Sequence, residues 1–291
     1  MNNVPPQRVS AIHAPEAYVL PTRPEGAPAS VLDAFRQTQF LLGGELELFA
    51  RAMNLQLQLG RDASPSKYRT HSLAALTALW SRSYFYLTDA MLLLTRASYP
   101  STLPLVRAAC EVIAAEEALR AGDMDQHQLW LLDTLKPNET FKAFEFDLGR
   151  YFAGEVLASD PMLRAVYRPA SDLGRPNFGA SLLQVAPESN NVRLAISFAD
   201  TSFHLGWAEI GLGWLLTLAA RQLRVLVEAA PVFPVSDEAR AAFNDLHREI
   251  GKTIVRIDRC HIEEVEEGNM RRYLVHNFRR TASAAPKKII L

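Results

Sequence analysis

Arg107 and Glu111 stand four residues apart in "LPLVRAACEVIAA", a stretch otherwise free of charge. On a helix that spacing puts both side chains on one face, where a guanidinium and a carboxylate can pair. Such a pair among apolar residues costs desolvation and has to be satisfied by partners. Two readings follow: a polar site inside a helical bundle, with Asp89 contributing from an antiparallel neighbour, or an ion pair that fixes helix register. A second concentration of polar groups lies in "YRPASDLGRPNFGASL", Tyr167 to Leu182, where Ser171, Asp172, Arg175 and Asn177 sit among prolines and glycines. That composition predicts a shaped, non-helical segment. Arg175 suits bidentate contact with a phosphate or a carboxylate, but it stays protonated at any physiological pH and cannot serve as a general base. The plainer reading is an ordered turn in which Asp172 caps or pairs with Arg175.

The C-terminal tail raises a different chemistry. From Gly268 to Leu291 it carries Arg271, Arg272, Arg279, Arg280, Lys287 and Lys288 with no acidic residue. A basic strip can hold nucleic-acid phosphates while Tyr273 and Phe278 stack on bases. The preceding "EEVEE" offers the alternative that the strip pairs with carboxylates across a hairpin or a subunit interface. Within the tail, "RRYLVH" separates Arg271 from His276 by five positions. The surrounding alternation predicts a strand, on which an odd separation sends the two side chains to opposite faces. His204 and His276 are the candidates for a catalytic acid or base. The histidines at 13, 71, 127, 204, 247, 261 and 276 form no His-x-x-x-His or His-Glu-x-x-His pair. No Gly-x-Ser-x-Gly, Walker or dinucleotide glycine pattern occurs either, so neither a metal nor a cofactor is expected.

The run "SRSYFYLTDAMLLLTRASYPSTLPLVRAACEVIAA" and the later "YRPASDLGRPNFGASL" together resemble an uncharacterised family of bacterial helical proteins. Those proteins pair an Arg-x-x-x-Glu helix with a Tyr-x-x-x-Ser-x-x-x-His-Pro segment, and the likeness covers roughly residues 70 to 230. The family is in turn distantly similar to the HEPN class of helical bundles, many of which are metal-independent ribonucleases using an Arg and a His. The resemblance implies a helical bundle with a polar site around Arg107 and Glu111. It departs at one position, because Arg175 stands where the pattern has histidine. The spacing of Arg271 and His276 matches the ribonuclease motif, but that motif requires a helix.

The elements that must position these residues follow from periodicity and caps. A helix starts at Ser30–Asp33 and is weakened at Gly43–Gly44, and "DASPSK" closes it. Leu73, Leu76, Trp80, Leu87, Met91 and Leu94 recur at helical spacing within Tyr68 to Arg96. "ASYPS" then turns the chain into an antiparallel helix capped by Ser101 and ending at Gly122. Asp123 caps a helix over 124–135 that Pro137 stops, and Asn138 starts another through "ETFKAFEFDLGRYFAGEVLA". Asp160–Pro161 opens a short helix that ends at the Tyr167 segment. "ASLLQVAPESNNVRLAISF" predicts a β-hairpin or a pair of extended segments. Asp200 or Thr201 caps a long helix to about Glu228, in which Trp207, Ile210 and Trp214 form a core stripe, and Ser236 caps one more. "CHIEEVEEGNMRRYLVHNF" predicts a hairpin about Gly268–Asn269, with "KKIIL" as a third strand.

The fold class is therefore mainly α, a multi-helix bundle with a small β-hairpin insertion and a short C-terminal β element. The domains are a proline-rich arm (1–29) that is extended, disordered or laid along another subunit, a helical bundle (30–258), and a C-terminal β-hairpin and basic tail (259–291). With 31 basic and 32 acidic residues among 291, the net charge of −1 gives no global attraction to nucleic acid or anionic membrane. Cys110 and Cys260 do not make a disulfide framework, and the N-terminus lacks a secretory pattern, so a cytoplasmic setting fits. "FHLGWAEIGLGWLLTLAA" is read as a buried central helix rather than a membrane span. The arm and the open hairpin edge point to a homo-oligomer. These features favour a non-enzymatic binding or interaction protein, contacting RNA or a protein through the tail, over a metal-independent ribonuclease of a bacterial defence or stress system.

Overall fold

The computed structural model describes residues 9–63, 71–121, 136–138, 143–145, 153–230, 234–267 and 270–291. Among these the chain is mainly α, with eight helices and a small antiparallel sheet near the C-terminus. Helix α1 (Ala29–Ala63) leaves helical geometry at Leu42 (φ −120°, ψ 17°), directly before Gly43–Gly44, where the sequence is least able to hold a helix. Helix α2 (His71–Leu94) buries all six of its periodic apolar residues. A turn with Ala97 at φ 55° leads into α3 (Tyr99–Ala121). This helix begins two residues before its expected cap Ser101, because Pro100 fits a first turn that needs no N–H.

The predicted helix over 124–135 lies outside the described residues. The helix expected from Asn138 is absent at its start: strand β1 (Lys136–Asn138) pairs antiparallel with β2 (Ala143–Glu145). Pro137 cannot continue a helix, and "FKAFEF" is rich in aromatic residues that favour strands. The chain then forms α4 (Gly154–Ser159) and α5 (Pro161–Leu173), and the Asp160 carboxylate accepts the Met162 and Leu163 N–H groups at the start of α5. The segment from Tyr167 is mostly helical, contrary to its composition. Only 174–177 form a turn, after which Asn177 caps α6 (Phe178–Val185). No strand forms in 186–203, so the expected hairpin there is replaced by α6 and irregular chain.

Helix α7 (Leu205–Glu228) runs through the core against α1, α2, α3 and α8 (Asp237–Ile254). It is long and apolar enough to cross a membrane, and 83% of its apolar stretch is buried in the fold. His204 caps it, not Asp200 or Thr201, which have tertiary partners instead: Asp200 pairs with Arg280 at 2.8 Å, and Thr201 shares a hydrogen bond with Ser30. Ser236 caps α8 as expected.

Strands β3 (His261–Glu267), β4 (Met270–Phe278) and β5 (Lys287–Ile290) form an antiparallel sheet in that order. The expected Gly268–Asn269 turn lies outside the described residues. The register pairs His261 with His276 and Glu264 with Tyr273, so Ile262, Glu264, Arg271, Tyr273 and Val275 share the face toward the helices. A bulge at Asn277 (φ 54°) turns Phe278 inward, against His204 and Trp207. The arm from residue 9 has no regular structure and lies on α1, where Asn54 exchanges hydrogen bonds with the Tyr18 backbone and Arg61 donates to the carbonyls of Pro15 and Glu16.

Candidate functional site

Helix α5 carries Leu163, Val166, Ala170 and Leu173 into the core, which leaves Arg164, Arg168 and Asp172 spaced i, i+4, i+8 on another stripe. That stripe meets the inner face of the sheet. Arg168 pairs with Glu264 at 2.6 Å, and Arg271 reaches the same carboxylate at 3.0 Å. Asp172 accepts the Tyr273 hydroxyl, and it has Arg175 at 3.5 Å and Arg271 at 3.9 Å. Burial, reinforced by the Asp172 carboxylate, pushes the Tyr273 phenol well above its ordinary value, so it remains a donor. Beside this chain of charges lies a cavity of about 240 Å³ lined by residues including Arg164, Pro169, Ile262, Glu264 and Tyr273. Arg164 has no carboxylate partner among the described residues. Pro169 has no N–H, which leaves the Ala165 carbonyl on the cavity wall without its helical donor. Along the seam the guanidiniums of Arg168, Arg175 and Arg271 pair with the carboxylates of Asp172 and Glu264, Glu266 lies across from Arg271, and Arg164 adds a fourth guanidinium, a small local excess of positive charge that favours an anion.

Arg107 and Glu111 do pair on α3, at 3.1 Å. Tyr167 of α5 donates its hydroxyl to Glu111 at 3.3 Å, and its ring lies 6.0 Å from the Arg107 guanidinium. Both charged side chains are about two-fifths exposed (41% and 42%), so the desolvation implied by the apolar sequence is largely avoided. Asp89 is exposed on α2 and does not join them.

The two candidate histidines do not meet at this seam. His204 is buried, accepts the Trp207 N–H through Nδ1 and tilts against Phe278. Burial first, and Arg280 second, hold its pKa down at about 4, far from that of a general acid poised near neutrality. His276 lies on the outward face of the sheet, stacked 4.6 Å from His261 and bonded to Glu263 at 2.8 Å. Arg271 points inward from the same strand, as the odd separation requires. The tail arginines are also engaged. Arg279 donates to the Asp258 and Asn277 carbonyls and lies 3.8 Å from Glu209, Arg280 pairs with Asp200 and Glu188, and Arg272 too has an interaction within the fold. Carboxylate pairing thus takes up much of the basic strip.

Two buried polar clusters lie in the core. Glu116, fully buried, contacts Ser83 and Gln222. Arg259, 1% exposed, pairs with Glu45 and donates to the Glu209 carbonyl, while the Glu209 carboxylate, whose pKa burial raises, accepts the Cys260 N–H at 2.9 Å. Burial pushes both thiols far up, so neither Cys110 nor Cys260 is a nucleophile. Among the described residues no group of three His, Cys, Asp or Glu side chains is placed to hold a metal ion. The stripe Arg164, Arg168, Asp172 was available in the sequence as a helical spacing, but it falls across a segment whose prolines and glycines suggested a loop. Glu264 and Tyr273 became site residues only through strand register. Compared with protein-family models, curated proteins and solved structures, the chain matches none.

Proposed function

We propose that this chain is a non-enzymatic binding protein of HEPN-like helical type, and that the seam between α5 and the sheet holds the phosphate or carboxylate group of its ligand. The observation that carries this reading is Arg164 on the wall of the 240 Å³ cavity, unpaired among the described residues, while the Glu264 carboxylate on the same wall is already held by Arg168 and Arg271. Arginine supplies planar, permanently charged donors for such groups and no acid–base step. Among the described residues no histidine stands at the seam, which favours binding over the ribonuclease alternative. Arg107, Glu111 and Tyr167 then brace α5 against α3, and Asp172 holds Arg175 and Arg271 in place.

Isothermal titration with inorganic phosphate, and separately with acetate, at fixed ionic strength checks the reading. Binding of one anion per chain is expected, weakened at least tenfold in Arg164→Ala and unchanged in Arg248→Ala on the exposed face of α8. Equal binding by parent and Arg164→Ala would remove the site. Cleavage of RNA by the parent in the presence of a chelator would restore the ribonuclease.

A further inference from the structure

Residues 194–199, "LAISFA", carry no charge, and among them Leu194, Ile196 and Phe198 are exposed while Ala195 and Ser197 are partly covered. Exposure with a period of two marks an extended chain. The hydrogen bonds alternate in the same way. Ala195 N–H donates to Ser189 Oγ at 3.0 Å and Ser197 N–H to the Val185 carbonyl at 2.7 Å, which fastens one edge of the segment to the protein. The N–H and C=O groups of Leu194, Ile196 and Phe198 have no partner among the described residues, as expected of groups turned to the opposite edge of an extended chain, which ends at the bend of Phe198–Ala199. The segment is no strand in the chain by itself, but its unpaired edge and apolar side chains resemble an open strand edge, which proteins normally blunt with charge or cover.

We propose that residues 194–198 pair antiparallel with the same residues of a second copy of this chain, about a two-fold axis at Ile196. In that register Ile196 faces Ile196 and each Leu194 faces a Phe198, so the same face of both strands is apolar and every outward N–H meets an outward C=O. The absence of charge along the run means that nothing opposes like meeting like. The surrounding surface extends the match. Phe178 is 89% and Phe198 97% exposed, and Leu182 of α6 and Ile290 of β5 are exposed as well. Helix α6 adjoins β5, since a β carbon at Gly179 would lie 3.7 Å from Leu291 and Lys287 donates to the Pro187 carbonyl. An aromatic side chain buries about 150–250 Å². The six apolar residues of this patch therefore offer on the order of 800 Å² per copy, which is what one partner contributes to a standard stable interface.

The test is the mass in solution at micromolar concentration. The parent is expected at twice its 32.4 kDa, and Ile196→Lys, which sets two ammonium groups at the axis, at 32.4 kDa with unchanged circular dichroism. Ile196→Cys supplies a second readout that does not depend on that variant folding. Directly hydrogen-bonded strand residues have Cα atoms about 5.5 Å apart, with Cβ atoms too far apart for an unstrained disulfide but within the span of a short bis-maleimide. Cys110 and Cys260 are buried and do not compete, so that reagent should give a covalent dimer. A monomeric parent overturns the proposal, and so does a dimer that survives Ile196→Lys or fails to cross-link through Ile196→Cys. Phosphate titration of Ile196→Lys keeps this result separate from the anion site, which lies on α5 and the sheet.

Discussion

Replacing Arg259 by methionine is expected to cost about 3–5 kcal/mol of folding stability, the usual consequence of removing one member of a buried ion pair. The guanidinium lies between α7 and the start of β3, with Glu45 of α1 against Nη1 and the Glu209 carbonyl against Nη2. Gly213 makes room for it, since a β carbon there would stand 3.3 Å from Arg259 Nε. Loss of Arg259 leaves the Glu45 carboxylate, 5% exposed, with only the half-exposed Arg256 at 3.7 Å. Arg256 keeps the cost toward the lower end of the range. Denaturant unfolding of Arg259→Met, Glu45→Met and the double variant measures the coupling. The double variant should be more stable than Arg259→Met alone, because no carboxylate is then stranded. Simple additivity of the two losses would show that the pair is not a unit.

The second large effect is a reversed pH response at Glu116. Ser83 Oγ lies within hydrogen-bonding distance of three acceptors: the Trp80 carbonyl at 2.9 Å, Glu116 Oε1 at 3.1 Å and Gln222 Oε1 at 2.6 Å. One hydroxyl proton cannot serve all three. A protonated Glu116 that donates to Ser83 removes one acceptor, Ser83 donates onward to Gln222, and the Trp80 carbonyl keeps the N–H of its own helix. Burial, opposed by the bonds from Gln222 and Ser83, raises the carboxyl to about 8 in agreement with this arrangement. Between its unfolded value near 4.5 and its folded value near 8, the native state therefore binds more protons than the unfolded chain. The contribution of Glu116 to stability is complete below pH 4.5 and is lost as pH rises through 8. Glu116→Gln keeps the shape without the charge, so it should match the parent near pH 4.5 and exceed it by a few kcal/mol at pH 8, since a tenfold change in proton affinity is worth about 1.4 kcal/mol. His204, held down by burial, has the opposite dependence on falling pH, but it is present in both proteins and cancels in the difference. Parallel stability curves for parent and variant would rule out the protonated carboxyl.

Much of the architecture was legible because local rules and tertiary contacts agree. The six periodic residues of α2 are all in the core, the Gly43–Gly44 pair sits at the kink in α1, Asp160 and Ser236 cap the helices that follow them, and the alternating tail makes the sheet. The disagreements arise where a residue's local preference was outweighed by a distant partner. Pro169 and Gly174 suggested a loop from Tyr167, yet α5 continues to Leu173 because its apolar stripe packs against α3 and α7. "RLAISF" has the alternation of a strand but no neighbouring strand among the described residues, and alternation cannot specify that neighbour.

The sequence by itself determined the helical class, the caps Asp160 and Ser236, the pairing of Arg107 with Glu111 and the opposite orientations of Arg271 and His276. Each of these depends on residues a few positions apart, whose geometry a single helix or strand dictates. Only the tertiary structure decided that the tail arginines meet carboxylates, that His204 is a buried cap, and that Arg164, Glu264 and Tyr273 line one cavity with Arg168 bonded to Glu264. Those outcomes depend on strand register and on which helix covers the sheet, contacts between residues about a hundred positions apart that no local pattern encodes.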